Sequence, residues 1–264
     1  MPSVSNIAVG AAMAGAAAQK ARHQMNESIA RLSTGVRTMY GGDAAGQSIA
    51  NSLGAKGASF AVAARNAEDG ISYLQSAESL LLEMAALTTR LRELGIQYAN
   101  NALLTTTDEA ALNAEATAIG DAIDSIADNI KFNGKALVGT ATAIEVGIND
   151  AGDTATIGTA TSITITNTDN ITGANGVDAS ADSALGQIAK SLGNVAAGMS
   201  ALKGYQAAAS STAANLKAAA ARIQDTDYAL ETANLTKAAI LNQSAMAMVA
   251  QANQAQQAIL TVIQ

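Results

Sequence analysis

The carboxyl-terminal stretch AAILNQSAMAMVAQANQAQQAILTVIQ, residues 238–264, decides how the rest of the chain must fold. Its apolar and small residues recur at alternating steps of four and three, which is the spacing of a seam along a helix that packs on another helix. The stretch carries almost no charge, so we expect a helix that needs a partner. The seam residues are Leu241, Ala245, Met248, Ala252, Ala255, Ile259 and Val262.

A second seam with the same spacing occupies the amino-terminal region, residues 4–36. One interpretation is two independent amphipathic helices on a globular body. The other is that the two termini pack on each other and on other copies of the chain, and the matching spacing favours it. The second seam consists of Ile7, Ala11, Ala14, Ala18, Ala21, Met25, Ser28 and Leu32.

Composition favours extended helical packing over a globular core of large side chains. Hydrophobic residues make up 49% of the 264 residues, but aromatics only 3%, and the single Pro lies at position 2. Ala, which is abundant, forms helices well but buries little area. The net charge of −7 without a basic cluster argues against nucleic-acid binding. No apolar run is long enough to span a membrane, and no secretory signal is expected.

The middle of the chain is predicted to form long helices. Gly41-Gly42 indicates a turn, Asp43 suits a helix N-cap, and a helix is predicted from there to about Asn101. Thr106 and Glu109 have capping-box spacing and predict the start of a further helix, which Phe132-Asn133-Gly134 ends.

Residues 137–177 have a different pattern from the rest of the chain. Apolar residues alternate there with other residues, as around Ile144 and again around Ile163 and Ile165, and turn residues separate these runs. This pattern predicts short strands. Helix returns after Asp178 and continues to the end, with a brief interruption at 225–228. The predicted class is therefore mainly α: long antiparallel coiled-coil-like helices forming a rod, with a small β-hairpin insert.

No residue cluster indicates catalysis, a cofactor or a metal. His23 is the only His and Cys is absent, so thiolate chemistry and disulfides are excluded. Gly41, Gly42 and Gly46 resemble a phosphate loop only superficially, since no Lys-Ser or Lys-Thr follows. Asp225 and Asp227 are better explained as a helix cap than as a cation site. We therefore expect no enzyme and no cofactor.

Two stretches resemble the terminal regions of bacterial flagellins. Residues 30–51 read ARLSTGVRTMYGGDAAGQSIAN, and residues 222–254 read RIQDTDYALETANLTKAAILNQSAMAMVAQANQ. The resemblance implies a filament core formed by residues 1–40 and 222–264. It further implies a helical rod domain of residues 41–136 and 178–221, with the insert 137–177 at its tip.

A flagellin would polymerise with its own copies into a flagellar filament for swimming. The resemblance also implies an extracellular location, type III export without a cleaved signal peptide, and partners that include an export chaperone, the filament cap and hook-junction proteins. Arg90, Leu94 and Glu115 match the family's surface for an innate Toll-like receptor. The expected polymerisation seam comprises Ile7, Met25, Leu32, Leu241, Met248, Ile259 and Val262.

Two other protein classes remain open from the sequence. A hook-filament junction protein shares flagellin-like ends, and a secreted coiled-coil scaffold or adhesin could carry similar seams.

Overall fold

The computed structural model of the chain describes residues 2–38, 42–138, 144–157 and 176–263. Within these ranges the fold is mainly α with two small antiparallel hairpins, which confirms the predicted class. The helices are α1 (Pro2–Thr34), α2 (Ala44–Tyr98), α3 (Thr106–Asn129), α4 (Val177–Gln224) and α5 (Tyr228–Ile263), and the strands are β1 (Lys131–Phe132), β2 (Lys135–Ala136), β3 (Ile144–Gly147) and β4 (Thr154–Ile157).

The first turn of α2 is fixed by the predicted N-cap. The backbone N–H of Gly46 donates to Asp43 Oδ1 at 2.8 Å, and the N–H of Gln47 donates to the Asp43 carbonyl at 3.0 Å. The helix then runs for 55 residues without a Pro to interrupt it. The prediction of one long helix over this region is confirmed.

The capping box of α3 lies one residue earlier than the sequence spacing suggested. Thr105, not Thr106, is the N-cap, and its side chain accepts a hydrogen bond from the N–H of Asp108. The Asp108 carboxylate in turn accepts from the backbone N–H of Thr105 at 3.0 Å and from its hydroxyl at 2.7 Å. The predicted pair of Thr106 and Glu109 was therefore wrong, because the Thr run and the two adjacent acids permit both registers.

The same hydrogen bonds, first that of the Thr105 side chain and then that of its backbone, lower the pKa of Asp108. Because the folded-state pKa lies below the unfolded value, the charged carboxylate favours the folded state above the unfolded pKa. That contribution is lost as the pH falls through the folded pKa.

Thr105→Ala is expected to lower the free energy of unfolding by about 1 kcal/mol, because it removes the side-chain acceptor at the helix N-terminus. Thr106→Ala is the matched control and should change stability little, since Thr106 is the first helical residue and its exposed side chain caps nothing. Urea unfolding followed by circular dichroism measures both. Equal losses in the two variants would contradict the observed capping register.

The first hairpin, β1–β2, was missed in the sequence, where Phe132-Asn133-Gly134 was interpreted only as a helix end. Asn133 and Gly134 both have positive φ, 48° and 78°, which a two-residue hairpin turn requires. The Asn-Gly pair was the available signal. The second hairpin, β3–β4, lies in the predicted β region and pairs Ile144 with Ile157. The strands predicted around Ile163 and Ile165 lie outside the described residues.

The chain divides into two compact units. The first unit comprises residues 1–55 and 216–264, and the second comprises residues 56–215. The core of the second unit collects apolar side chains of α2, α3, α4 and both hairpin regions. Its largest fully buried members are Leu74, Leu81, Met84, Leu91, Leu94, Ile123, Ile157, Val177, Ile188, Val195 and Leu202.

Two glycines of α2 show how closely α4 approaches within the second unit. A Cβ placed on Gly70 would lie 2.9 Å from Leu202 Cδ1, and one placed on Gly95 would lie 2.6 Å from the backbone N of Asp178. Residue numbers rise along α2 as they fall along α4, so the two helices are antiparallel here.

Candidate assembly surface

Within the first unit, α1 and α5 pack along most of their length as an antiparallel pair. Arg31, near the end of α1, lies 3.7 Å from Glu231, near the start of α5. Buried alanines occupy both sides of the contact, among them Ala18 and Ala21 of α1 and Ala238 and Ala245 of α5. Small side chains let the two helix backbones approach closely, so the predicted partnership of the two termini is confirmed within the chain.

The register of α5 against α1 differs from the predicted seam. Leu241 is 47% exposed and Met248 is 62% exposed, so neither side chain packs in the seam between α1 and α5. The row that faces α1 keeps Ala245 and Ala252 of the predicted seam, but it has Ala238 and Asn242 where the prediction placed Leu241 and Met248. Bulky side chains there would hold the helices further apart. The row that faces α1 comprises Glu231, Leu235, Ala238, Asn242, Ala245, Val249 and Ala252.

The turns after α1 and before α5 are hydrogen-bonded to each other. Gly35 adopts a left-handed φ of 72°, and its N–H donates to the Arg31 carbonyl at 2.8 Å while its own carbonyl accepts from the N–H of Thr226 at 2.9 Å. The N–H of Arg37 donates to the Gln224 carbonyl at 2.7 Å. These bonds hold the end of α1 beside the start of α5.

Asp227 serves as the N-cap of α5, as its interpretation in the sequence suggested. Its Oδ1 accepts from the backbone N–H groups of Ala229 at 2.9 Å and Leu230 at 3.2 Å. Across the described part of the chain, no group of three or more acidic or His side chains is arranged to hold a metal ion. His23 lies on the exposed side of α1, 3.6 Å from Glu27, and Gly46 belongs to the first turn of α2.

Large apolar side chains remain exposed on the flank of α5. Leu230, Leu241 and Met248 are separated by eleven and seven residues, close to three and two helical turns, so they form one row. We call these three residues the α5 row. Their exposed fractions are 61%, 47% and 62%. In the same unit α1 exposes Val9, Met13 and Ile29.

The other residues of the predicted polymerisation seam divide into two groups. Met25 and Leu32 are half-buried on α1. Ile7, Ile259 and Val262 lie in helical segments, but their side chains are outside the described residues.

The three residues predicted for receptor recognition do not share a surface. Arg90 and Glu115 are about half exposed, and the Arg90 Nη2 lies 2.7 Å from Glu115 Oε1. Hydrogen bonds to Glu115 first, and then to Glu93, raise the pKa of the Arg90 guanidinium. Leu94, by contrast, is fully buried in the core of the second unit. Its assignment to an exposed surface was wrong, because this side of α2 is the apolar side that packs against the core.

None of the helices that the structure describes is both long enough and apolar enough to cross a membrane.

Comparison with known proteins agrees with this architecture. Residues 5–142 match the bacterial flagellin N-terminal helical region, and residues 179–263 match the bacterial flagellin C-terminal helical region. The chain is 31% identical to flagellin FlaB2 of Treponema pallidum and 30% identical to the flagellar filament 33 kDa core protein of Treponema phagedenis, in each case over 90% of this chain and 92% of the relative. It is 33% identical to the flagellin of Halalkalibacterium halodurans, over 91% and 92% of the two chains. The chain therefore belongs to the bacterial flagellin family and is a structural subunit of the extracellular flagellar filament.

Proposed function

We propose that the subunit polymerises by burying the α5 row, together with the exposed apolar residues of α1, against other copies of the chain. The observation that supports this is the exposure of three large apolar side chains on a helix whose other side is already packed on α1. Large apolar side chains that remain exposed on one side of a helix are typical of a protein interface. Leu241 and Met248 thus keep their proposed role in polymerisation, although they do not form the seam with α1.

The packing of α1 on α5 gives a physical reason for polymerisation. Its central contacts are mainly Ala methyl groups, each worth ~0.8 kcal/mol when buried, whereas ordering the backbone costs about 1–2 kcal/mol per residue. The α1–α5 pair alone therefore gains little net stability. Burial of Leu230, Leu241 and Met248 by neighbouring copies would add ~1.5–3 kcal/mol for each side chain.

The two parts of the chain would then have different roles in the filament. We propose that residues 1–40 and 222–264 form its inner core, and that residues 41–136 and 178–221, with the insert 137–177, form the layer outside it. The separate hydrophobic core of the second unit supports this division, because that unit does not depend on the exposed apolar residues of α5.

Export and further partners follow from family membership as proposals. The subunit would pass unfolded through the flagellar type III apparatus, without a cleaved signal peptide, and would meet an export chaperone, the hook-junction proteins and the filament cap. For recognition by the innate receptor, Arg90 and Glu115 remain the proposed surface, since both are accessible in the subunit.

The proposed interface is tested by the accessibility of the α5 row before and after polymerisation. The natural chain has no Cys, so Met248→Cys introduces the sole thiol. We expect maleimide to label it readily in free subunits and much more slowly in filaments.

A further inference from the structure

Three methionines of the first unit are exposed. Met13 of α1 is 69% exposed and Met246 of α5 is 47% exposed, and Met248 belongs to the exposed α5 row. Among the other methionines that the structure describes, Met84 is fully buried in the core of the second unit, and the remaining two are half-buried. Because oxidation of a thioether depends on its accessibility, the three exposed methionines are the candidates for this modification.

The composition of the chain directs a mild oxidant to these sulfur atoms. The chain has no Cys, whose thiolate is the side chain that peroxide oxidises most readily, and no Trp. With hydrogen peroxide as the oxidant, the methionine sulfur attacks one peroxide oxygen and the O–O bond breaks. The sulfur gains that oxygen and is oxidised by two electrons to a sulfoxide. The other oxygen leaves as water, which carries both hydrogens of the peroxide.

Met246 and Met248 lie on opposite sides of α5. Counted at about 100° per residue from the buried Ala245, Met246 lies about 100° away in one direction and Met248 about 60° away in the other. Met248 is part of the α5 row, whereas Met246 is not. The same chemistry is therefore available on α5 both inside and outside the proposed interface.

Met13 lies at the level of Met248 and on the same side of the helix pair. Arg31 is 3.7 Å from Glu231, which sets the register of the two antiparallel helices. Met13 precedes Arg31 by 18 residues and Met248 follows Glu231 by 17, so both lie ~25–27 Å from that ion pair. Met13 is also rotated by about 80° from the buried Ala21, in the sense in which Met248 is rotated from the seam. Equal senses of rotation correspond to the same side of an antiparallel pair.

We propose that Met248, with Met13 beside it, is a reversible oxidation site that switches the subunit between a polymerising and a non-polymerising form. The inference rests on the proposed burial of the α5 row by other copies. Oxidation converts an apolar side chain into a polar one. The sulfoxide oxygen is hydrated in the free subunit and loses that water when the α5 row is covered, which opposes burial.

Reduction restores the polymerising form. Methionine sulfoxide reductases, one for each epimer of the sulfoxide, return the thioether. With a dithiol as the reductant, the sulfoxide oxygen leaves as water and the dithiol is oxidised to a disulfide.

Partial oxidation of the natural chain tests the proposal, with Met246 as the control in the same molecules. Free subunits are treated with hydrogen peroxide so lightly that most carry no more than one sulfoxide and the buried Met84 stays unoxidised. They are then polymerised on filament seeds, the filaments are sedimented, and tandem mass spectrometry measures the sulfoxide at each position. We expect the ratio of oxidised to unoxidised Met248 to be roughly tenfold higher in the supernatant than in the filaments. The ratio for Met246 should be equal in the two fractions.

Equal ratios for Met248 in the two fractions would overturn the inference, and so would equal exclusion of both sulfoxides from the filaments. Either result leaves the proposed function in place if Met248→Cys is still labelled slowly in filaments. The subunits in the supernatant should polymerise again after treatment with dithiothreitol and the two reductases. No recovery after Met248 has been reduced would also overturn the inference.

Two double variants repeat the test with one exposed α5 methionine each. Met13→Leu with Met246→Leu retains Met248, and Met13→Leu with Met248→Leu retains Met246. The critical concentration of each variant is compared before and after oxidation, so each untreated variant is its own reference. Oxidation should raise the critical concentration roughly tenfold in the variant that retains Met248 and leave it unchanged in the other. A rise of the same size in both variants, or in neither, would overturn the inference.

Discussion

Leu241→Asp is expected to yield a folded subunit that does not extend filaments. The Leu241 side chain is 47% exposed in the subunit and lies outside the seam with α1, so a carboxylate there remains hydrated and leaves the subunit packing intact. In the polymer the same position would be covered by a neighbouring copy. The substitution then forfeits ~1.5–3 kcal/mol of apolar burial and also buries an unpaired charge, which costs far more than the lost apolar contact.

Seeded polymerisation followed by sedimentation and electron microscopy measures the effect. The loss of apolar burial alone should raise the critical concentration roughly tenfold to a hundredfold, and the buried charge should extend this to complete loss of growth. Leu241→Met is the matched control, since it keeps an apolar side chain of similar volume, and it should polymerise nearly as the natural chain does. Circular dichroism should show equal helix content in both subunits. Normal filaments from Leu241→Asp would show that Leu241 is not part of the interface.

Gly95→Ala is expected to destabilise the second unit by about 1–3 kcal/mol, which is the usual cost of forcing an extra methyl into a packed core. The added Cβ would lie 2.6 Å from the backbone N and 3.1 Å from the Cα of Asp178, so the first turn of α4 would have to move. Backbone atoms cannot yield as the end of a flexible side chain can.

Gly186→Ala provides the matched control, because it makes the same substitution in the interior of α4 at a site with no heavy atom within 4 Å of the new Cβ. There the methyl should stabilise the helix by about 0.5–1 kcal/mol, since Ala loses less backbone entropy than Gly. Urea unfolding of the two variants should thus shift in opposite directions. A shift of the same sign in both would show that α2 and α4 are not as close at Gly95 as the structure indicates.

The long helices could be predicted from the sequence because their signals are local and repeated. The return of helix after Asp178 was predicted, and α4 runs from Val177 to Gln224 with Ile188, Val195 and Leu202 buried. Asp43 was identified as a helix cap from its place after a turn, and of the pair Asp225 and Asp227, which was interpreted as a cap and not as a cation site, Asp227 caps α5. These features depend on neighbouring residues, which the sequence shows directly.

The register of α5 against α1 could not be predicted from the sequence. It depends on which row of α5 lets the two helices pack more closely. Two overlapping rows of α5 share the four-three alternation and both contain Ala245, and only the close approach of α1 favours the row with Ala238 over the row with Leu241 and Met248. Leu94 shows the same limit, since motif position indicated a surface while the packing of α2 buries the side chain.

The accessibility of Met248 measures the central claim most directly, since 62% of this residue is exposed in the subunit. The maleimide labelling rate of Met248→Cys is compared in free subunits, in filaments, and in the same filaments after dissociation. Burial of the α5 row by other copies predicts fast labelling in free subunits, labelling at least roughly tenfold slower in filaments, and recovery of the fast rate on dissociation. Equal labelling rates in subunits and filaments would contradict the proposal that the α5 row is an interface.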